Sequence, residues 1–310
     1  MALRVFPQRD SSILVIVLNP DRRAFVKFGV ASAAVPLLGL GPVAVGQTKR
    51  GENAVRGSAT VPVAPNLQMF YREDWLGAPW ITTAEPVVFL HGNLETGDVW
   101  FGWVPRMAQQ YRLFRPDLPG YGRSAAPADF EWSLANFAKV VASYLDAIGV
   151  ASAHIIGAKT GGAIAMQFAA TYPQRTRSVV VASGPFGKVD PQFENSSQQV
   201  RLGSAATKAE MDYFEKLREE TPASTRRDMQ KVLSNIELDG LLPKIQAPTL
   251  IITSDKSALQ SVETVVRYQS KIPKSRLLVL TSDAYHVAVA NADECVTNTL
   301  AFLAESKARP

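Results

Sequence analysis

The sequence predicts an α/β fold: a mostly parallel, eight-stranded sheet covered by helices on both faces, with a helical insertion late in the chain. Three observations carry this expectation. Short strands such as residues 86–90 (PVVFL) and 153–157 (AHIIG) are apolar almost throughout, which requires burial on both faces and is the mark of a parallel sheet. Segments with apolar residues at three- and four-residue spacing stand between them, and strands alternating with helices build this architecture. Residues 188–242 hold no strand pattern, only charged helical ones such as 208–220 and 224–234.

The elements follow in order. Residues 67–71 form a strand leading into a turn, and 86–90 a buried strand ending at His91-Gly92-Asn93. Residues 99–110 are predicted as a helix, with Pro105 as an irregularity. Residues 112–116 are a strand ending at Asp117. Leu134, Phe137, Val140, Val141, Tyr144, Leu145 and Ile148 make one apolar helix face, with Ser133 to cap its start and Gly149 its end. The strand 153–157 and the helix 161–172 follow, then strands at 178–183, 249–253 and 277–280 and a closing helix at 294–303. The expected organisation is a core of 67–187 and 243–310, a helical cap at 188–242, and a linker and edge at 47–66.

Residues 1–46 are expected to be an export signal. Arg22-Arg23 is followed by Phe25 and Lys27, then by an apolar run over 28–45 that ends in small residues. This resembles a bacterial twin-arginine signal and implies a periplasmic protein without stable membrane association once the signal is removed. An uncleaved anchor is the alternative, disfavoured by the glycines and Pro36 of the run. Residues 13–18 are a second short apolar run.

The formal charge of the 310 residues is +5, of which the first 46 carry +3, so the body is close to neutral and nothing points to nucleic acid. One cysteine, Cys295, and three histidines, His91, His154 and His286, leave no metal-binding cluster, and no cofactor is implied. The expected partner is a small-molecule substrate.

The stretch Gly157-Ala158-Lys159-Thr160-Gly161 stands where a strand turns into a helix. Together with His91-Gly92, with Asp117-Leu118-Pro119-Gly120-Tyr121-Gly122-Arg123-Ser124 and with the late His286, it resembles the α/β-hydrolase family over about residues 67–303. The resemblance implies that 157–161 is the nucleophile elbow, with Lys159 in place of its serine. It implies backbone oxyanion donors at Asn93 and Thr160, the histidine at His286, and an acid near Asp255, with Ser257 at the more usual position. Trp100 and Phe186 would lie near the pocket rim, either lining an apolar substrate site or packing into the core. The His91-Gly92-Asn93 run is similar to haloalkane dehalogenases, but these need Asp-Trp at the elbow, where Lys159-Thr160 stands.

A lysine nucleophile attacking an ester would leave an amide, so the ordinary acyl-enzyme route is excluded. Three roles remain for Lys159: an imine with a ketone or aldehyde, acid–base work with His286, or a fixed cation. Burial and the adjacent helix N-terminus both disfavour the ammonium, which ranks the first two roles above the third. The expected function is a hydrolase, or a lyase through a lysine imine, acting on a small organic carbonyl or ester-like compound. The alternative is a catalytically dead homologue that binds a ligand or partner.

Overall fold

The structure, a computed structural model, describes residues 15–18, 56–81, 83–194 and 196–307. The strands are β1 (Val15–Leu18), β2 (Arg56–Ala64), β3 (Leu67–Asp74), β4 (Glu85–Leu90), β5 (Tyr111–Pro116), β6 (Ala153–Ala158), β7 (Thr176–Ala182), β8 (Thr249–Ser254) and β9 (Ser275–Leu280). They form one sheet in the order β1-β9-β8-β7-β6-β4-β5-β3-β2. Only β2 and β3 run antiparallel to their neighbours. Eight strands match the expected sheet, and β1, from the apolar run at 13–18, adds a ninth beside β9. β1 falls within the segment expected to be the export signal; the arginine pair and the apolar run of that signal lie outside the described residues.

Alternation along the strands divides the core. Val87 and Phe89 of β4 face one side, Val88 and Leu90 the other, and all four are fully buried. The second side is covered by α2 (Leu134–Ala147) and α3 (Thr160–Thr171), which follow α1 (Val104–Met107) in the chain. The first is covered by α1 and by the closing helix. Ser133 caps α2 by accepting from the Asn136 N–H at 3.1 Å, and Gly149, just beyond the helix, adopts φ +70° as a left-handed stop. The insertion between β7 and β8 carries α4 (Pro191–Glu194), α5 (Gln198–Leu202), α6 (Lys208–Glu220) and α7 (Ala223–Ser234). Then come α8 (Val262–Gln269), α9 (Val287–Ala290) and α10 (Ala292–Lys307).

Three expectations are corrected. The helix expected over 99–110 is a 3-10 turn at Gly97–Trp100 and the four-residue α1, because Pro105 stands at the second position of α1, where it can only begin a helix. The 47–66 linker contains β2, whose ladder with β3 runs from Arg56↔Asp74 to Ala64↔Leu67. The helix α8 was not expected; Ser261 caps it and Val265 anchors it in the core.

Candidate active site

Lys159 sits at the elbow between β6 and α3 with φ 53° and ψ −125°. That backbone is costly for a residue with a Cβ, and its surroundings enforce it. The Lys159 N–H donates to Ala182 O at 3.1 Å, and the Gly162 N–H to Lys159 O at 2.9 Å. A Cβ on Gly157 would overlap Gly161 O, and one on Gly161 would overlap Leu90 O. Gly161→Ala is therefore expected to lower the unfolding free energy by about 3 kcal/mol, the upper end of overpacking costs. A urea denaturation midpoint unchanged from the parent protein would refute the backbone clash.

Sheet order decides what meets Lys159. β4 pairs directly with β6, so the loops at their carboxyl ends are neighbours. The loop after β4 supplies Glu95, whose Oε1 takes the Lys159 ammonium in a short ion pair. Lys159 Nζ also donates to Asn93 O at 3.2 Å. His286, at the start of α9, brings Nε2 to 3.0 Å from the same Glu95 oxygen. Glu95 Oε2 accepts from the Gly92 N–H at 2.9 Å. Leu94, with φ 64°, makes the turn between Asn93 and Glu95. Lys159, Glu95 and His286 are 5%, 1% and 1% exposed, so this is a dry three-membered charge cluster.

Its electrostatics follow from that burial. Burial alone would raise the Glu95 carboxyl, but the charges of His286 and Lys159 and their hydrogen bonds outweigh it and hold Glu95 below the carboxylate range. Burial lowers His286, against the pull of Glu95, with Lys159 and Arg201 adding to the shift. Burial thus favours the neutral ring, while a proton on His286 would be stabilised chiefly by Glu95. Neither ring nitrogen makes a hydrogen bond of good geometry among the described residues, but Nε2 lies 3.0 Å from the carboxylate, so in the neutral ring the proton belongs on Nε2 and Nδ1 is the basic nitrogen. The His286 backbone N–H donates to Arg201 O at 2.7 Å, which ties its main chain to α5.

Lys159 and His286 come together as expected, but Asp255 does not join them. Asp255 is exposed and accepts from the Ser282 N–H at 3.0 Å, so it holds the loop after β8 to the loop after β9. Ser257 accepts from the Leu259 N–H at 3.3 Å. The carboxylate facing His286 is Glu95, from the opposite side of the site. A signal for it was available: a buried amine demands a counter-charge, and Glu95 stands two residues past Asn93 in the loop beside the elbow. Expectations for Lys159 change accordingly, since an adjacent carboxylate favours the ammonium.

Trp100 and Phe186 are corrected too. Trp100 is fully buried, 4.7 Å from the Phe89 ring and 5.1 Å from the Trp103 ring, inside the core. Phe186 is 1% exposed and stacks on Tyr268 at 5.5 Å. Asn93 and Thr160 stand on either side of Lys159. Thr160 opens α3, where first-turn N–H groups have no intrahelical acceptor. The Asn93 side-chain Oδ1 accepts from Tyr121 OH at 2.7 Å.

The remaining polar residues hold the loops. His91 Nε2 accepts from the Leu118 N–H at 2.8 Å, so Nδ1 carries the proton and donates to Gly92 O at 2.8 Å. Asp117 accepts from the Gly97 N–H at 2.9 Å and the Arg123 N–H at 3.1 Å, and pairs with Arg72. His154 lies at the opposite end of β6, with Nδ1 2.8 Å from Ser178 Oγ. Burial pushes the Cys295 thiol well up, which leaves it inert. Among the described residues no group of His, Cys, Asp and Glu is placed to hold a metal ion, and no helix is long and apolar enough to cross a membrane.

Comparison with known proteins agrees with this fold. A family model described as the alpha/beta hydrolase fold matches residues 85–211. Solved structures superpose on most of the chain. The enol-lactonase from Burkholderia xenovorans LB400 gives a TM-score of 0.70 at 17% identity, covering 79% of this chain and 99% of that one. The carboxylesterase CesB from Bacillus subtilis gives 0.68 at 19% identity, covering 80% and 92%.

The chain has the α/β-hydrolase fold.

Sequence relatives with this fold include several named as esterases and hydrolases. The chain is 40% identical over 118 residues to the pimeloyl-[acyl-carrier protein] methyl ester esterase of Aeromonas hydrophila, covering 38% of this chain and 45% of the relative. It is 38% identical over 108 residues to the 2-hydroxy-6-oxo-6-phenylhexa-2,4-dienoate hydrolase of Burkholderia cepacia, covering 33% and 37%. These alignments span less than half the length of each relative. A longer one, 26% identical over 244 residues, reaches 76% of Lipase 1 of Psychrobacter immobilis.

Proposed function

We propose that this α/β-hydrolase-fold chain is a hydrolase acting on a small organic carbonyl or ester-like compound through Lys159, Glu95 and His286. The carrying observation is the cluster itself: two ionisable side chains, Lys159 and His286, converge on one buried carboxylate, Glu95, each of the three coming from a different loop at the carboxyl ends of the parallel strands. That is where ligands bind in such sheets. Burying an ion pair stabilises little after desolvation, so stability alone is a poor reason for the cluster.

In this mechanism His286 Nδ1 accepts a proton from a water molecule as its oxygen attacks the substrate carbonyl carbon. The carbonyl electron pair moves to oxygen. The Lys159 ammonium and the Asn93 and Thr160 backbone N–H groups stabilise that oxyanion. Collapse expels the leaving group, which takes the proton back from His286. Glu95 holds Lys159 charged and His286 oriented. The fixed-cation role of Lys159 is favoured over an imine, because attack by the amine requires it to shed a proton and leave its carboxylate.

The test is a panel of esters, lactones, ketones, aldehydes and β-keto acids, each sample split between product detection and borohydride quench. Turnover without a reduced adduct on Lys159 is the expected result. Turnover with an adduct would move the protein to imine lyase chemistry. Neither signal would favour the second reading, a non-catalytic binding protein, which the mutual pairing of all three charged groups also fits.

The pH profile provides a separate check. His286 must be neutral to act as base, and burial lowers its pKa. The acid limb of kcat/KM should therefore fall below the ordinary histidine value of about 6.5. An acid limb above that value would exclude His286 as the base.

A further inference from the structure

A cavity of about 620 Å3 opens beside the charge cluster, between the segment after β4 and helix α6. Its size lies within the range of small-molecule sites. The apolar wall is Phe101, Val104 and Pro105 on one side and Ala209, Tyr213 and Phe214 on the other. Phe214 is shared with the cluster: its ring stands edge-on to His286, centroids 5.8 Å apart at 70°. One buried aromatic ring thus touches both the cavity and the proposed base. At the mouth, Phe101 and Tyr213 are 56% and 37% exposed, aromatic surface turned to water where a ligand would enter.

The polar lining is unbalanced. Asp74, Asp98 and Glu210 face the cavity with Arg115 as the one cationic lining residue. Asp74 pairs with Arg115 at 2.8 Å, and Asp98 with Arg72 at 2.6 Å; Arg72 is also held by Asp117 at 2.9 Å. Around the cavity, four carboxylates therefore stand against two guanidiniums. A cavity with low-dielectric walls concentrates such a field. Burial, then Asp98, raises the Tyr213 phenol, in keeping with this sign.

We infer that this cavity is the substrate chamber of the same site, that it takes an uncharged compound with an aromatic or branched apolar body and repels carboxylates, and that Phe214 gates passage to His286. This inference rests on the hydrolase reading of the cluster. Selection works by repulsion as much as by fit, so an anionic dienoate of the kind named for the Burkholderia relative is a disfavoured ligand here. Rotation of the Phe214 ring about its side-chain bonds would open the cavity toward the His286 ring without moving the sheet.

The full chain can be titrated with acetophenone and with 4-acetylbenzoate, its carboxylate analogue, following aromatic chemical shifts. Acetophenone should bind saturably and 4-acetylbenzoate at least tenfold more weakly. Equal binding overturns the charge selection. Ala209→Trp, which fills the chamber, should weaken acetophenone at least tenfold with the far-ultraviolet spectrum retained; Tyr213→Ala at the rim is the second variant if the first fails to fold. Binding that both leave unchanged overturns the chamber. Phe214→Ala should raise turnover of naphthyl acetate relative to phenyl acetate at least threefold, and an unchanged ratio overturns the gate. The two proposals fail separately. Binding lost in Ala209→Trp, with no ester turned over, keeps the chamber and ends the hydrolase reading. Turnover that Ala209→Trp does not affect keeps the hydrolase and ends the chamber.

Discussion

Glu95→Ala is expected to lower the unfolding free energy by about 3–5 kcal/mol, the cost of leaving one member of a buried pair without its partner. In a domain of this size that is a fall in Tm of roughly 6–20 °C. The reason is geometric. Lys159 is 5% exposed, its amine is held by Glu95 and Asn93 O, and the elbow backbone prevents it from swinging out to water. The double variant Glu95→Gln with Lys159→Met removes both charges at similar volume and should recover most of the loss, because the two effects share one interaction. Differential scanning calorimetry of Glu95→Gln, Lys159→Met and the double completes the cycle. A Glu95→Ala variant within about 1 kcal/mol of the parent would mean that Lys159 is not held as a buried ammonium, and the electrostatic role would fall with it.

Lys159→Met is expected to cost about 100- to 1,000-fold in kcat on any compound the parent turns over, the range for removing one oxyanion-stabilising donor. KM should change far less, since the ammonium acts on charge that develops only in the transition state. Instability is a confounding cause, and the double variant separates it. If Glu95→Gln with Lys159→Met folds like the parent but remains as inactive as Lys159→Met, the loss belongs to chemistry. Activity within tenfold of the parent would show that the backbone donors suffice and that Lys159 is a structural partner of Glu95. His286→Ala should be at least as damaging, because no other neutral imidazole faces the cluster: His91 is spent on Leu118 and Gly92, and His154 lies at the far end of β6.

The two experiments bear on one question. A buried charge cluster in this fold is either a catalytic device or the residue of a lost triad closed over by a salt bridge. Stability measurements show whether the cluster is paired as the geometry has it. Rate measurements show whether the pairing does work. A large stability effect with no activity anywhere would describe a protein that keeps the fold and binds.

Much of the architecture was legible because it depends on local patterns. Strands β4, β6 and β8 are apolar on both faces, and such runs have few other uses. The face of α2 and its cap at Ser133 follow from spacing and from one side-chain oxygen. The elbow was legible in its glycines, since only residues without a Cβ let β6 and α3 pass so close to Leu90 and to each other. Where local signals were weak, pairing decided. Residues 56–64 become a strand because β3 offers them a ladder, and 99–110 break at Trp103 because Pro105 can begin a helix but not continue one.

The site divides along the same line. By itself the sequence determined that a lysine would stand at a tight strand-to-helix turn, while the approach of His286 to it was implied by the family resemblance. It also determined that the core would be parallel, because the turn and the core follow from residue types at fixed short spacings. Only the tertiary structure decided which acid serves the site. Asp255 directly follows β8 and Glu95 stands in the loop after β4, and both lie at the carboxyl ends of parallel strands, so position along the chain does not say which meets the lysine. The order of strands does: β4 lies against β6, which sets Glu95 beside Lys159 across 64 residues of chain, while Asp255 faces water. Packing likewise drew Trp100 and Phe186 into the core and set Phe214, on a helix without readable motif, against the histidine. A long-range contact is a property of how elements stack, and no short stretch of sequence contains it.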